Sequence, residues 1–387
     1  MQMRIQMVSG QFYPIIGGAE SQALNLSKSL VKKNIKVSVV TIRKKNLKKF
    51  EYVEGIPVFR IFSPRIRCIG KYIYLVTFFL YLVKTRNKYD IIHIHQGLSP
   101  AFAAVLAGKV LRKKTIIKIG NCGERFDIKV LKNSYLIGRF MAAILKKANA
   151  IIYINSEMKK ELIKEGFSRE RLYYIPNGVD IEIYAPPKNK KEKKAMKEKL
   201  NLPLGKIVLF VGTLYPKKNL EFLIREWKEI VRLLPYAHLI LLGDGPQKEE
   251  LLNLTEKLGV KENVHLIGEK KDVEEHLVAA DLFVLPSFVE GLSNALLEAM
   301  ASGLPCVVSN IPGNRDLIED GKNGQLFTLS DGEKMKEVVI YLLKNEEFAY
   351  SMGREARETV EEYSFHKVVP QYLNFYSKLL YQNEEKV

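Results

Sequence analysis

The chain has 387 residues, which is too long for one ordinary hydrophobic core and predicts two domains. Its three cysteines, Cys68, Cys122 and Cys306, are odd in number and widely spaced, which disfavours a disulfide framework or a cysteine metal site and suggests a reducing compartment. Residues 1–175 carry 33 Lys and Arg against 10 Asp and Glu, whereas residues 176–387 carry 28 against 33, so the net charge of +18 belongs to the first part.

Short apolar runs alternate with helical patterns in residues 1–175. Continuous apolar strands of this kind are typical of a parallel sheet buried on both faces, and the alternation predicts a doubly wound α/β domain. Strands are predicted at 4–8, 37–42, 58–62, 90–94, 115–119, 150–154 and 171–175, with helices between them.

The most apolar run is Tyr72–Val83, and its twelve residues are too few to span a bilayer as a helix. A buried or half-buried helix is the first interpretation, and an interfacial membrane helix is the alternative. The N-terminus shows no apolar signal-peptide region, so we expect a cytoplasmic protein, with peripheral contact at the inner face of the plasma membrane as an option.

The basic first half has three interpretations. Its basic residues lie on solvated, Lys-rich faces, or they contact anionic lipid headgroups, or they bind nucleic acid. Nucleic acid is disfavoured because the sequence contains neither a nucleic-acid-binding signature nor interleaved aromatic and basic residues.

Residues 176–200 contain three prolines, an Asn-Gly turn and a run of lysines, which predicts a linker. A second alternation follows in residues 201–364, so the predicted fold class is α/β with two doubly wound, Rossmann-like domains. Ligands of such sheets bind beyond the carboxyl ends of the strands. The predicted strands of this second domain are 206–212, 237–243, 263–267, 281–287 and 305–309, and the helices are near 220–234, 248–258 and 294–302.

The stretch EGLSNALLEAMASGLP, residues 290–305, places two carboxylates after a predicted strand. Glu290 stands before a helix N-terminus, where the backbone amides of residues 291–294 favour an anion such as a phosphate. Glu290 itself can accept hydrogen bonds from sugar hydroxyls beside that phosphate. Glu298 lies among core-like residues, where a carboxylate needs partners such as the vicinal hydroxyls of a ribose. A solvent-facing Glu298 on an amphipathic helix is the alternative.

The stretch EGLSNALLEAMASGLPCVVS resembles the E-x7-E signature of the retaining GT-B glycosyltransferases of family 4. Five further segments resemble motifs of that family in the same order: PIIGGAE (14–20), IPNGVD (175–180), VGTLYPKKNL (211–220), HLILLGDGP (238–246) and FHKVVPQYLNFYSKLL (365–380). The resemblance covers nearly the whole chain. It implies an acceptor-side domain at 1–175, onto which a helix at about 365–380 packs back, a linker at 176–200, and a nucleotide-sugar domain at 201–364 across a cleft.

The resemblance implies transfer of a sugar from a UDP- or GDP-linked donor to an acceptor hydroxyl, with retention and without metal or cofactor. The acceptor would be a carbohydrate or a lipid-linked molecule in polysaccharide, lipopolysaccharide or glycolipid synthesis. Lys218 would stabilise the leaving diphosphate, Glu290 would hold the donor sugar, and His95 is a third catalytic candidate. The other donor-binding candidates are Gly17, Gly18, Thr213, Gly268, Lys270, Gly291, Leu292, Ser293, Asn294 and Glu298, and the acceptor-side candidates are His95, Asn121 and Glu124.

Two positions depart from the family pattern. Thr213 stands where many members have Arg, and Gly120 stands where many have His, although a branch of the family carries a similar K-I-G-x-x-G pattern. A strand-end packing role is the alternative for His95. A sugar-nucleotide epimerase and a catalytically weak nucleotide-binding partner protein therefore remain alternative functions.

Overall fold

The computed structural model describes residues 2–15, 17–64 and 69–381, and Cys68 lies outside them. The chain divides into two compact units. Unit 1 comprises Met1–Gly178 and Phe365–Val387, and unit 2 comprises Val179–Ser364. Cys122, in unit 1, and Cys306, in unit 2, are both buried.

Unit 1 contains an eight-stranded sheet with the order β3-β4-β2-β1-β5-β6-β7-β8. All neighbouring strands are parallel except β3, which pairs antiparallel with β4. The strands are β1 Arg4–Ser9, β2 Lys36–Arg43, β3 Phe50–Val53, β4 Ile56–Phe62, β5 Ile91–His95, β6 Lys114–Lys118, β7 Ala150–Tyr153 and β8 Leu172–Tyr174. Strand β3 was not predicted from the sequence. Its tight turn uses positive φ at both Glu54 and Gly55, as a two-residue hairpin requires.

The helices of unit 1 cover both faces of this sheet. One core layer joins strand residues such as Met7 and Val39 to Leu26 of α1 and Tyr372 of α15, so the C-terminal helix belongs to the core of unit 1. The helices are α1 Gly18–Lys32, α2 Gly70–Lys84, α3 Ser99–Leu111, α4 Asp127–Ser134, α5 Gly138–Leu145, α6 Ser156–Lys164 and α15 Phe365–Tyr381. None of the helices within the described residues has the length and apolar content needed to cross a bilayer.

Unit 2 contains a six-stranded parallel sheet with the order β11-β10-β9-β12-β13-β14. Its strands are β9 Lys206–Val211, β10 Ala237–Leu242, β11 Val264–Gly268, β12 Leu282–Leu285, β13 Cys306–Ser309 and β14 Gln325–Phe327. Its helices are α7 Lys190–Lys199, α8 Leu220–Leu233, α9 Lys248–Leu258, α10 Val273–Ala279, α11 Asn294–Ala301, α12 Pro312–Arg315, α13 Gly332–Lys344 and α14 Glu346–Val360. The prediction of two Rossmann-like α/β domains is confirmed.

The segment predicted as a linker is structured from residue 190 onward. Its lysine run forms α7, because the Asn189 side chain caps the helix by accepting from the amides of Lys191 and Glu192. Lys193 and Lys197 then pair with Asp281 at 2.7 and 2.8 Å. Residues 179–200 therefore belong to unit 2.

Candidate active site

Lys218 and Glu290 form an ion pair in unit 2. The Lys218 Nζ lies 2.6 Å from Oε1 of Glu290, and each side chain is 10% exposed. The Ser287 hydroxyl donates to the same oxygen at 2.6 Å. Burial opposes ionisation of Glu290, but the charge and hydrogen bond of Lys218 and the bond from Ser287 outweigh it and lower the pKa of this carboxyl. The Glu290 carboxyl is therefore ionised at neutral pH, beside the Lys218 side chain.

Two loops at the carboxyl edge of the sheet bring the pair together. Lys218 ends a single 3₁₀ turn, Pro216–Lys218, between β9 and α8, and Glu290 lies between β12 and α11. The amide of Phe288 donates to the carbonyl of Lys217 at 2.9 Å, which ties the two loops through their backbones. The ion pair is therefore held by main-chain geometry as well as by its own attraction.

Neighbouring glycines allow the backbones around the pair to approach closely. At Gly243, φ is +146°, and a Cβ would lie 1.9 Å from the carbonyl oxygen of Gly212. At Gly313, on α12, a Cβ would lie 2.3 Å from the carbonyl oxygen of Gly291 and 2.5 Å from that of Glu290. The glycine turn after β10 and the glycine of α12 thus support the two loops that carry the ion pair.

The segment after Glu290 leads directly into α11. Ser293 is the N-cap, and its hydroxyl accepts from the amide of Leu296 at 3.4 Å. Gly291, Leu292 and Asn294 lie in the same turn, at the end of the helix where the dipole is positive. Thr213, on the loop after β9, is exposed.

Glu298 has a hydrogen-bond partner that was not predicted from the sequence. The Tyr184 hydroxyl donates a hydrogen bond to the Glu298 carboxyl. Burial raises the pKa of Glu298 to about 8, the charge of Glu274 adds to the increase, and the bond from Tyr184 opposes it. Tyr184 lies just beyond the IPNGVD segment, which was the only signal in the sequence near it. Glu298 is thus half-buried and hydrogen-bonded rather than simply solvent-facing.

Two donor-binding candidates lie at or just beyond the end of β11. Gly268 is the last residue of β11, and its carbonyl accepts from the amide of Gly243 at 2.9 Å. Lys270 is exposed and lines a cavity of about 340 Å³. Other lining residues are Ile240, His265, Ile267, Asp272 and His276.

The glycine-rich loop of unit 1 leads into α1. Gly17 is the N-cap of α1 and Gly18 is its first residue. Glu20, which the sequence analysis did not select, is 2% exposed, and its carboxylate accepts from the backbone of Glu20 and Gly17. Burial raises the pKa of Glu20 despite these bonds. A buried carboxylate therefore stabilises the turn that the two glycines form.

The structure buries His95 in unit 1. The sequence predicts this residue on the acceptor side, but its side chain is 2% exposed and its ring stacks on His93 at 4.6 Å between centroids. Burial lowers the pKa of His95 to about 3, with a further contribution from the charge of Lys118. The Nδ1 atom of His93 shares a hydrogen bond of 2.7 Å with the Tyr376 hydroxyl. The His95 ring is therefore neutral at pH 7, and its role as a catalytic and acceptor-side candidate stays a prediction.

The other acceptor-side candidates are organised by Asp127, a fully buried residue at the start of α4. The Asn121 side-chain amide donates to Asp127 Oδ1 at 3.0 Å. The amides of Gly97 and Gly120 donate to Oδ2 at 2.7 and 3.1 Å. Asp127 thereby joins the loops after β5 and β6. Gly120, which has no side chain to offer, contributes its backbone amide to Asp127. Glu124 is exposed on the second of these loops.

Across residues 2–15, 17–64 and 69–381, no group of three or more His, Cys, Asp or Glu side chains is arranged to hold a metal ion.

Comparison with known families covers both units. Residues 192–359 match the family model of the glycosyl transferases group 1, and residues 16–183 match that of Glycosyltransferase Family 4. The chain belongs to the GT-B glycosyltransferases of family 4. The resemblance stated from its motifs is confirmed, and this glycosyltransferase is an enzyme of glycan or glycolipid synthesis.

Characterised relatives of this glycosyltransferase include two bacterial enzymes. It is 35% identical over 262 residues to an Escherichia coli UDP-Gal:alpha-D-GlcNAc-diphosphoundecaprenol alpha-1,3-galactosyltransferase. The aligned region covers 65% of this chain and 66% of that enzyme. It is 28% identical over 303 residues to the N-acetyl-alpha-D-glucosaminyl L-malate synthase of Bacillus anthracis, and the aligned region covers 77% of each chain.

Solved structures share the fold of this glycosyltransferase. Anabaena HepE in complex with UDP-glucose superposes with a TM-score of 0.82 at 20% identity, covering 97% of this chain and 100% of HepE. WaaG, a glycosyltransferase involved in lipopolysaccharide biosynthesis, has a TM-score of 0.76 at 16% identity, covering 96% and 99%. At these identities the likeness concerns the fold alone.

Proposed function

We propose that this glycosyltransferase moves a sugar from a nucleoside-diphosphate sugar to an acceptor hydroxyl with retention of anomeric configuration and without a metal ion. The observation that carries the proposal is the ion pair of Lys218 and Glu290 at the N-terminal side of α11. A departing diphosphate gains negative charge in the transition state, and a preorganised ammonium group and a helix N-terminus stabilise such charge.

The proposed step needs no protein nucleophile. The bond between the anomeric carbon and the diphosphate oxygen breaks, and that oxygen keeps the electron pair. The acceptor hydroxyl attacks the same face of the short-lived, cation-like sugar, and its proton passes to the departing oxygen. Lys218 would donate to the diphosphate, and Glu290 would accept hydrogen bonds from hydroxyls of the donor sugar. Retention follows because attack and departure occur on one face.

The remaining candidates would hold the rest of the donor. Glu298 with Tyr184 would bind the ribose hydroxyls, and Gly268 and Lys270 would lie near the nucleobase. The glycine turn at residues 17 and 18 would let the backbone approach the donor phosphate or the acceptor. His95 has no part in the proposed step, since its ring is buried in unit 1.

The relatives support a uridine donor and a lipid-linked acceptor. The E. coli relative uses UDP-Gal as donor and a diphosphoundecaprenol-linked acceptor. The positive charge of residues 1–175 also suits an anionic acceptor. We therefore propose action at the cytoplasmic face of a membrane, on an acceptor that carries a diphosphate-linked lipid.

The test begins with the full chain and a panel of UDP- and GDP-sugars. Binding at a hundredfold excess over the dissociation constant adds about 2.7 kcal/mol to the free energy of unfolding, which a thermal shift detects. Transfer to a diphosphate-lipid acceptor is then followed with the best donor, with and without EDTA, and the product linkage is assigned by NMR. An inverted linkage, or activity abolished by EDTA and restored by a divalent cation, contradicts the proposal.

The same assay separates the two alternative functions. A sugar-nucleotide epimerase would release nucleotide from its donor with no acceptor present. A catalytically weak partner protein would give a thermal shift with nucleotide but no transfer, and it would respond equally in wild type and in Glu290→Ala. Acceptor-dependent release of nucleotide that Glu290→Ala abolishes supports the transferase.

A further inference from the structure

The chain leaves β5 at Gln96 in a backbone conformation that glutamine rarely adopts. The φ angle of Gln96 is +76°, in the left-handed region. Among the other described non-glycine residues with positive φ, four are asparagines, Glu54 lies in the β3–β4 turn, and Arg112 caps the C-terminal end of α3. Gln96 lies instead in the bend between β5 and α3. Backbone strain of this kind clusters at ligand sites.

Gln96 stands where the strand order of unit 1 reverses. Strand β1 has β2 on one side and β5 on the other, so the chain first extends the sheet away from β1 and later returns to its other side. Ser9 and His95 are partners in the parallel register, so the loops after β1 and β5 leave the sheet side by side. Ligands of doubly wound sheets bind in the crevice between two such loops. Gln96 therefore begins one wall of the expected crevice of unit 1.

Buried groups hold the backbone at and beside Gln96. Its amide donates to the carbonyl of Lys118 at 2.8 Å, and the amide of Gly97 donates to Oδ2 of Asp127 at 2.7 Å. At Gly97, a Cβ would lie 3.0 Å from Cδ1 of Ile119 and 3.3 Å from Cβ of Asp127. The left-handed conformation of Gln96 is therefore fixed by the surrounding fold before any ligand binds.

The Gln96 side chain lies beside Gly120. A Cβ at Gly120 would lie 3.3 Å from Cγ and 3.8 Å from Nε2 of Gln96, so a side chain at position 120 would displace it. Gln96 is half-buried, and within the described parts of the chain no hydrogen bond engages its carboxamide. The carboxamide of Asn121, by contrast, donates to Asp127. Gln96 thus has one oxygen acceptor and two N–H donors to offer a ligand.

We propose that Gln96 binds the acceptor sugar, with its carboxamide hydrogen-bonded to ring substituents beside the hydroxyl that receives the transferred sugar. This inference rests on the proposed function, because it concerns the acceptor of that reaction. A neutral carboxamide both donates and accepts, which suits hydroxyl and acetamido groups. A diphosphate is bound far better by charged donors, so the contact is with the sugar and not with the diphosphate of a lipid-linked acceptor.

The experiment measures transfer by the full chain to N-acetylglucosamine diphosphate with a shortened, water-soluble lipid. Gln96→Gly removes the carboxamide and relieves the positive φ, whereas Gln96→Met keeps the length of the side chain without its hydrogen bonds. Gly120→Ala keeps the carboxamide and displaces it. Arg112→Gly is the matched control, because Arg112 also has positive φ and lies at the far end of α3. Acceptor and donor KM, thermal unfolding and calorimetric binding of the acceptor are compared.

We expect the acceptor KM to rise about five- to thirtyfold in both Gln96 variants, as the loss of one or two hydrogen bonds implies, while the donor KM stays within about twofold. The rise should be equal at low and high salt, because the lost group is neutral. Gln96→Gly should unfold at the wild-type temperature or above it, since glycine relieves the strain. Gly120→Ala should raise the acceptor KM about threefold or more, and Arg112→Gly should leave both KM values unchanged.

Several outcomes overturn the role of Gln96 and leave the proposed function intact. One is a wild type that transfers sugar together with an unchanged acceptor KM in Gln96→Gly and Gln96→Met. Another is an equal rise of acceptor and donor KM in both variants. A wild type that transfers no sugar contradicts the proposed function instead. Calorimetry then decides on Gln96 alone, because equal or undetectable acceptor binding by wild type and Gln96→Met also overturns its role.

Discussion

The Lys218 ammonium lies 2.6 Å from Oε1 of Glu290, on loops that are 72 residues apart in the chain. Each side chain thus compensates the charge of the other in a site that is only 10% exposed. Removal of one partner leaves a poorly solvated charge, which usually costs more than the pair itself contributes. Under the proposed function, Lys218 would contact both Glu290 and the bound diphosphate. The ion pair therefore holds both side chains in position before the donor binds.

The first prediction concerns Lys218→Met. We expect kcat/KM to fall by about 10²–10³-fold, because one preorganised donor to the developing diphosphate charge is lost. Steady-state kinetics with the preferred donor measures this, and Lys217→Met is the neighbouring control, with an expected change below about threefold. A variant that keeps kcat/KM within tenfold of wild type would rule out this role for Lys218.

The second prediction concerns the titration of Glu298. Its pKa is raised from 4.5 to about 8, so between these values the folded state binds a proton that the unfolded state releases. The free energy of unfolding should therefore decrease as pH rises from about 5 to 8, by at most about 1.4 kcal/mol per pH unit and less with solvent screening. Urea unfolding of wild type and Glu298→Gln at pH 6, 7 and 8 measures the difference.

Glu298→Gln should show a flatter dependence on pH than wild type over that range. Tyr184→Phe serves as a companion, since it removes the hydrogen bond to Glu298 without changing charge. Parallel pH profiles for wild type and Glu298→Gln would show that the carboxyl titrates normally in the folded protein.

The third prediction concerns Lys118, whose ammonium is buried beneath α15. Its Nζ donates to the Tyr372 hydroxyl at 3.0 Å and to the Pro176 carbonyl at 3.3 Å, and burial lowers its pKa from 10.5 to about 7. Between these pH values the unfolded state holds a proton that the folded state lacks. The contribution of Lys118 to the free energy of unfolding therefore becomes more favourable as pH rises from 7 to 10.

Lys118→Met removes that dependence. Urea unfolding at pH 7, 8 and 9 should show wild type gaining stability relative to the variant, by up to about 1.4 kcal/mol per pH unit. The exposed Lys109→Met is the control and should follow wild type at each pH. A constant difference between Lys118→Met and wild type would mean that Lys118 stays charged in the fold.

The fourth prediction concerns Gly313→Ala. The new Cβ would lie 2.3 Å from the carbonyl oxygen of Gly291, so the loop carrying Glu290 or helix α12 must move. We expect kcat to fall about tenfold or more from misplacement of Glu290, with the circular dichroism spectrum unchanged. Gly321→Ala has no atom within 4 Å of its new Cβ and, despite backbone strain at φ +82°, should retain kcat. Unchanged kcat in Gly313→Ala would mean that the loop tolerates the shift.

Much of the fold follows from local patterns in the sequence. The apolar runs of 4–8 residues predict β1, β5 and β9 at nearly their observed positions, because strands buried on both faces need continuous apolar side chains. Short-range patterns were less informative for a segment whose helix is stabilised by polar side chains rather than by apolar burial. The lysine run at residues 190–199 resembles a linker, but Asn189 caps it and Asp281 anchors it as a helix.

The sequence by itself determined the family, the two α/β domains and the selection of Lys218, Glu290 and Glu298 as candidates, because each of these depends on residue types at fixed short spacings. Only the tertiary structure decided that Lys218 contacts Glu290, that Tyr184 binds Glu298 and that His95 is buried beside His93. These relationships join side chains on different strands and loops, and the desolvation and charge that set their pKa values arise from residues distant in the chain.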